Sequence, residues 1–252
     1  MHATTSFLVY YLIYYLWFHT LAPLAAGFFS IIFGLLPDFD GIYWSIKNKG
    51  KEMGMNFQHH LYSWFHWPIR WTPLILVFII ALFFNFYPQY FLIPPLGVYV
   101  HMMGDSISCG DGMMWGHGWK RTDFARYINL WSSKTDGYHG KYWNARYKKT
   151  IFYKLEIIFG FIVIGIVIYS EYGLIIDNGM KAIDIWGILI ILYILGSIIV
   201  TATMDLSEYE KEPPEGRYAD YRKNPEYLAW LEKKRKKNKT NLKENRHKGK
   251  QI

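Results

Sequence analysis

Residues 183–203 read IDIWGILIILYILGSIIVTAT, and residues 156–170 read EIIFGFIVIGIVIYS. Each run carries a single acidic residue and is otherwise built mostly from Ile, Leu, Val, Phe and Gly. They approach the roughly 20 apolar residues that a helix needs to cross a bilayer core. A soluble domain would instead spread its apolar residues with a period of 3.6 or 2. Working outward, Trp71–Phe86 is a third such segment and Tyr90–Ser108 a fourth. Pro94-Pro95 predicts a kink in the fourth, because proline removes an intrahelical hydrogen bond. The first 37 residues read as a helical hairpin, Ser6–Phe18 and Pro23–Leu36, turning near His19–Pro23. Both arms are short for a full crossing, so they are expected to be tilted, buried or partly re-entrant. The fold class expected is all-α, a polytopic membrane helical bundle of about 4–6 transmembrane helices with a basic cytoplasmic tail.

The 252 residues are 52% hydrophobic and 19% aromatic, a length that suits one bundle plus a tail. The division expected is a helical membrane domain over 1–120, a basic cytoplasmic loop over 121–155, a transmembrane hairpin over 156–204 and a basic, partly disordered tail over 205–252. Cys109 is the single cysteine, which excludes an intrachain disulfide. No cleavable signal peptide is expected, since the first residues lack a basic stretch. Much of the formal net charge of +8 sits in Lys120–Lys154 and in the tail, whereas Glu171–Asp184 holds only Lys181. By the positive-inside rule the loop 109–155 and the C-terminus are cytoplasmic and 171–184 is external. Counting six crossings back places the N-terminus and residues 37–70 inside as well, in an inner or plasma membrane. The tail segment Pro225–Lys239 could form a short helix against anionic lipid, or simply a solvated juxtamembrane tail.

Ionisable groups near membrane depth are costly and therefore mark function. Four places stand out. They are His2, the Asp38 and Asp40 of Leu36-Pro37-Asp38-Phe39-Asp40, the run His59, His60 and His66, and the pair His101 and Asp105. The last pair is four residues apart, so on a helix both side chains share one face. A nitrogen and a carboxylate oxygen so placed can bind one divalent cation, and the mixed set suits zinc, manganese or iron. Blander readings exist for each motif alone: a helix-surface His–Asp hydrogen bond, an Asp-rich turn, an interfacial His/Trp/Tyr anchor. The topology count, however, sends all four to the same membrane face. His19, Glu171, Asp177 and Asp184 fall on the opposite face and are excluded.

At these residues the sequence resembles the YdjM-like family of LexA-binding, inner-membrane-associated hydrolases, also described as membrane-bound metal-dependent hydrolases. The resemblance lies in an N-terminal His (His2), an LPD-x-D at a helix end (Asp38, Asp40), a His-rich stretch (His59, His60, His66) and H-x-x-x-D on a later helix (His101, Asp105). It covers roughly the first 120 residues. The family's His-rich stretch has a different spacing, so His59 and His60 stay open as alternatives. The resemblance implies an all-helical enzyme distantly similar to zinc-dependent phospholipase C and P1-type nucleases. It implies metal ligands among His2, Asp38, His59, His60, His101 and Asp105, with zinc the first choice of divalent metal. Asp40 and His66 are then the catalytic candidates, and the substrate a phosphate ester or diester such as a phospholipid. The residues leave a second class open: a non-catalytic membrane scaffold or binding protein with a structural metal site and a lipid- or partner-binding basic tail. Membrane lipids are the expected partners. Nucleic acid is disfavoured, because Glu208–Glu215 adjoin the basic tail and no nucleic-acid motif is present.

Overall fold

A computed structural model describes residues 2–47, 63–108, 140–178 and 183–207. In chain order the helices are α1 (His2–Phe18), α2 (Leu24–Leu35), α3 (Phe39–Lys47), α4 (Pro68–Phe83), α5 (Pro88–Phe91), α6 (Ile93–Ser108), α7 (Gly140–Tyr147), α8 (Ile151–Asn178) and α9 (Ile185–Thr203). Two 3-10 turns, Leu36–Asp38 and Trp64–His66, precede α3 and α4. The fold is all-α.

The N-terminal hairpin forms where the apolar pattern predicts it. His19 ends α1 with a φ of 56°, the left-handed conformation in which a helix commonly stops. Its N–H donates back to the Tyr15 carbonyl at 2.8 Å. Helix α6 differs from expectation in its first turn. Pro94 and Pro95 do not kink a longer helix; they sit at its start, after the break that follows α5. Prolines fit there because their missing N–H groups would have no intrahelical acceptor.

Helices α1, α2 and α6 pack face to face. The contact rests on small residues, as bilayer-embedded bundles favour. A Cβ on Gly97 would stand 2.8 Å from the Phe33 Cβ and 2.9 Å from the Gly34 nitrogen, so α2 and α6 approach backbone to backbone only because that Cβ is missing. Phe7, Tyr10, Tyr11, Ala26 and Ile31 are buried in this core, and Val163, Val167, Ile190 and Ile194 of the α8–α9 hairpin close it.

The outside of the bundle is apolar. Leu76, Ile79 and Ile80 on α4, Phe161 and Ile168 on α8, and Leu192 and Ile199 on α9 are all exposed. Water would not tolerate an apolar surface this extensive, whereas lipid is its natural solvent. Among the described residues, Leu24–Tyr43, Ile151–Ile176 and Ile185–Thr203 are long and apolar enough to cross a membrane. Helix α4 is apolar but has only 16 residues. These long apolar helices point to membrane insertion. Polar residues are gathered inside one end of the bundle, and that inversion defines the site.

Candidate metal centre

Each side chain of the site is delivered by a helix end or a tight turn. Pro37 opens the 3-10 turn after α2, and the Phe39 N–H donates to the Leu36 carbonyl, which folds the chain sharply into α3. Asp38 and Asp40 thereby leave the end of α2 on the inner side. Asp40 also lies in the first turn of α3, where the helix dipole favours a carboxylate. The turn that carries His66 is held at three points. Ser63 Oγ accepts from the Phe65 N–H at 3.3 Å, Trp71 Nε1–H donates to the Phe65 carbonyl at 2.7 Å, and the Tyr99 hydroxyl donates to the Pro68 carbonyl at 3.1 Å. His101 and Asp105 come one turn apart on α6, as their spacing predicts. His2 is the first residue of α1, and its ring lies over that of His101 with centroids 4.1 Å apart. It fits because residue 104 is glycine: a Cβ there would be 2.5 Å from His2 Nδ1.

Six of the residues singled out from the sequence meet at this point. Asp105 Oδ2 lies 3.1 Å from His101 Nε2 and 3.7 Å from His66 Nε2. Asp38 Oδ1 lies 3.6 Å from each of the same two nitrogens. The second oxygen of Asp105, Oδ1, is 3.1 Å from His2 Nε2. Donors about 2.0–2.1 Å from a zinc ion stand about 3.3–3.4 Å apart across a tetrahedron, so each of these separations suits two donors sharing an ion. Two overlapping ligand groups result, His2 with His101 and Asp105, and Asp38 with His66 and His101.

The protons on the imidazoles are dictated by their outer partners. His101 Nδ1 is 2.6 Å from the Gly34 carbonyl, which can only accept, so this nitrogen carries the proton. His101 Nε2 therefore turns inward, is wholly buried, and finds no hydrogen-bonding geometry despite its nearness to Asp105. His66 Nδ1–H donates to Asp40 Oδ2 at 3.1 Å, and its Nε2 likewise faces Asp38 and Asp105. A carbonyl or carboxylate behind each imidazole is the usual arrangement around a metal, because it fixes the tautomer and raises the basicity of the inward nitrogen. Lone pairs on nitrogen and carboxylate oxygens facing one another demand a cation between them. A proton supplies it when no metal does: burial alone would push the His66 imidazole down, but the carboxylates of Asp38 and Asp40 outweigh it and hold it up at about 10. The donor set, two to three imidazoles and two carboxylates, fits a divalent metal ion.

Access is one-sided. Asp38 is 41% exposed, whereas the His66 and His101 side chains are at most 2% exposed. Asp38 and His2 border a cavity of about 180 Å³ whose other walls come from α8 and α9, including Tyr153, Glu156, Tyr193 and Ser197. That wall was invisible to motif reading, since the two helices read as plain apolar spans.

His59 and His60 lie outside the described residues, as does the tail from residue 208 on. His19 is about 25 Å along α1 from His2, at 1.5 Å per residue, and serves the turn there. Glu171 and Asp184 are also separate. Glu171 Oε2 accepts from the Asp184 N–H at 3.1 Å, and Asp184 Oδ1 caps α9 by accepting from the Trp186 N–H at 3.1 Å. Comparison of the chain with protein-family models, with curated proteins and with solved structures finds no match in any of the three.

Proposed function

We propose that the protein is an integral membrane metal-dependent hydrolase acting on a phosphate ester or diester, with its His/Asp centre at the cytoplasmic face. One observation carries the reading: His101, proton-committed outward to Gly34, presents Nε2 to Asp105 and Asp38 in a buried pocket that only a cation can neutralise. Resemblance at the same motif residues supports the hydrolase class, and the lysine- and arginine-rich segments support the cytoplasmic placing of both termini.

Residues of the two overlapping groups, Asp38 with His66 and His101, and His101 with Asp105, would hold the metal, and His2 would either orient Asp105 or help to hold a second ion. Zinc is the first choice for this donor set. When bound, the metal lowers the pKa of a coordinated water toward about 7 and stabilises charge developing on phosphoryl oxygens. Asp40 is better placed to orient His66 than to reach substrate, because its Oδ2 accepts from His66 Nδ1 and its side chain is buried. Asp38, the most exposed carboxylate of the set, borders the side from which water and substrate enter.

The number of donors favours a second reading. Five converging protein donors, His2, Asp38, His66, His101 and Asp105, would also suit a closed, structural metal site, in a membrane scaffold that binds lipid or a partner through its basic tail. Metal analysis of the detergent-purified protein, followed by turnover of a generic phosphodiester, separates the two. About one or more equivalents of metal with turnover supports the hydrolase; metal without turnover leaves the scaffold; a metal-free, equally stable protein removes both.

A further inference from the structure

The cavity beside the centre has a chemistry of its own. One wall is the centre itself, through His2 and Asp38. The opposite wall is a stripe of α8, Tyr153, Glu156, Ile157 and Gly160, together with a stripe of α9 that includes Tyr193 and Ser197. Both stripes follow helical spacing, so each is one continuous face. Tyr193 is 37% exposed and Ser197 is exposed too, so the cavity is open on its α9 side. Beside that opening α9 presents the exposed apolar side chains Leu192, Leu195 and Ile199. A space of about 180 Å³ holds a polar headgroup but no acyl chains; the chains would remain outside along that apolar surface. The occupant suited to such a space is an amphiphile entering from the bilayer.

Glu156 sets which headgroup. It stands on the wall formed by α8, with Tyr147 donating its hydroxyl to Oε2 at 2.9 Å, which fixes the carboxylate's orientation. A carboxylate so held in a partly buried wall favours a cationic neighbour over a second anionic one. The metal side, by contrast, offers positive charge to a phosphate. A substrate spanning both ends carries phosphate at one and a positive charge at the other.

We propose that this cavity receives an ammonium-bearing phosphoester amphiphile, a zwitterionic phospholipid head, with Glu156 as the residue that selects the ammonium group. The proposal rests on the metal-dependent phosphoesterase reading for the role of the phosphate, and its test uses binding so that the two can fail separately. The probes are two short-chain lipids in which a methylene replaces the scissile ester oxygen, one with a phosphonoethanolamine head and one with a phosphonoglycerol head. They are titrated calorimetrically into the metal-loaded full chain in micelles. The ethanolamine analogue is expected to bind about 10-fold tighter than the glycerol analogue, the scale of one charge-assisted contact. Glu156→Gln, which keeps an acceptor for Tyr147, should erase that preference while leaving metal content and glycerol-analogue binding unchanged. Ser197→Trp, which fills the cavity from its open side, should abolish binding of both at unchanged metal content. Equal affinities for the two heads in the wild type, or a preference that survives Glu156→Gln, overturns the assignment. Selective binding without turnover of the matching natural lipid would remove the hydrolase reading and leave the binding site standing.

Discussion

The Nδ1–H of His101 donates to the carbonyl oxygen of Gly34, 67 residues earlier, at 2.6 Å. This bond ties the last turn of α2 to α6 and decides which nitrogen of the imidazole faces the carboxylates. Fold and site are thus joined at one backbone oxygen.

Gly34 should be intolerant of even one added carbon. A Cβ there would run into the side chain of Ser6, whose own Cβ would be 2.8 Å away, so Gly34→Ala pushes α1 from α2. Overpacking of this kind costs about 1–3 kcal/mol. Thermal unfolding in detergent should show a lowered midpoint, with weaker metal retention because the His101 acceptor moves. An unchanged midpoint would mean the helices do not approach as described.

Asp40→Asn should leave the ligands in place yet weaken metal binding. The amide can still accept from His66 Nδ1–H, but its charge no longer polarises the ring. Loss of such an outer partner typically costs about 10–100-fold in metal affinity. Competition against a chelator measures it directly, and equal affinity in the two proteins would remove Asp40 from the centre's support.

His2 has two roles that stoichiometry distinguishes. It touches Asp105 Oδ1, the oxygen turned away from His101. If His2 holds a second ion, His2→Ala lowers bound metal from two equivalents to one; if it only orients Asp105, one equivalent remains and affinity falls. Gly104→Ala, whose Cβ would displace the His2 ring, should mimic His2→Ala either way. A normal metal content and affinity in both variants would show that His2 plays no part.

Acidity should govern metal uptake. The metal-free His66 imidazole, held at about 10, keeps its proton through neutral pH, and the metal must displace it. Because this pKa is raised above the unfolded value of 6.5, its contribution to metal-free stability is complete below about pH 6.5 and is lost as pH rises toward 10. Metal affinity should move the other way, increasing with pH as the proton becomes easier to remove. Calorimetry in buffers of different ionisation enthalpy should show proton release at pH 7.5, and His66→Ala should reduce it. Uptake with no proton release would contradict the charge state assigned here.

Orientation is checked through the lone cysteine. With the loop 109–155 in the cytoplasm, Cys109 should resist a membrane-impermeant maleimide in intact cells and react after permeabilisation. Labelling of intact cells would reverse the topology.

Much of this was legible in the residues. The boundaries of α2 and α9 and the end of α1 follow their apolar runs because a bilayer rewards continuous hydrophobicity, whereas α1 begins at His2, four residues before its apolar run. His101 and Asp105 were readable as a pair because i and i+4 always share a helix face. Asp40 was less so. The resemblance made it a catalytic candidate, but its contact with His66 Nδ1 is a tertiary relation that no spacing along the chain announces. His66 likewise drew notice as part of a histidine run, but nothing in that run says that its Nε2 would meet Asp38 and Asp105.

By itself, then, the sequence determined an all-helical chain with long apolar spans and a set of His and Asp residues assigned to one end. Local spacing and solvent preference are written residue by residue, and they suffice for that. Only the tertiary structure decided that Gly34 lends His101 its acceptor, that Asp40 stands behind His66, and that Glu156 and Tyr193 wall a cavity beside the centre. Those relations depend on how closely helices far apart in the chain approach, and a backbone carbonyl or a lone glutamate in an apolar span carries no periodic signal of its neighbours.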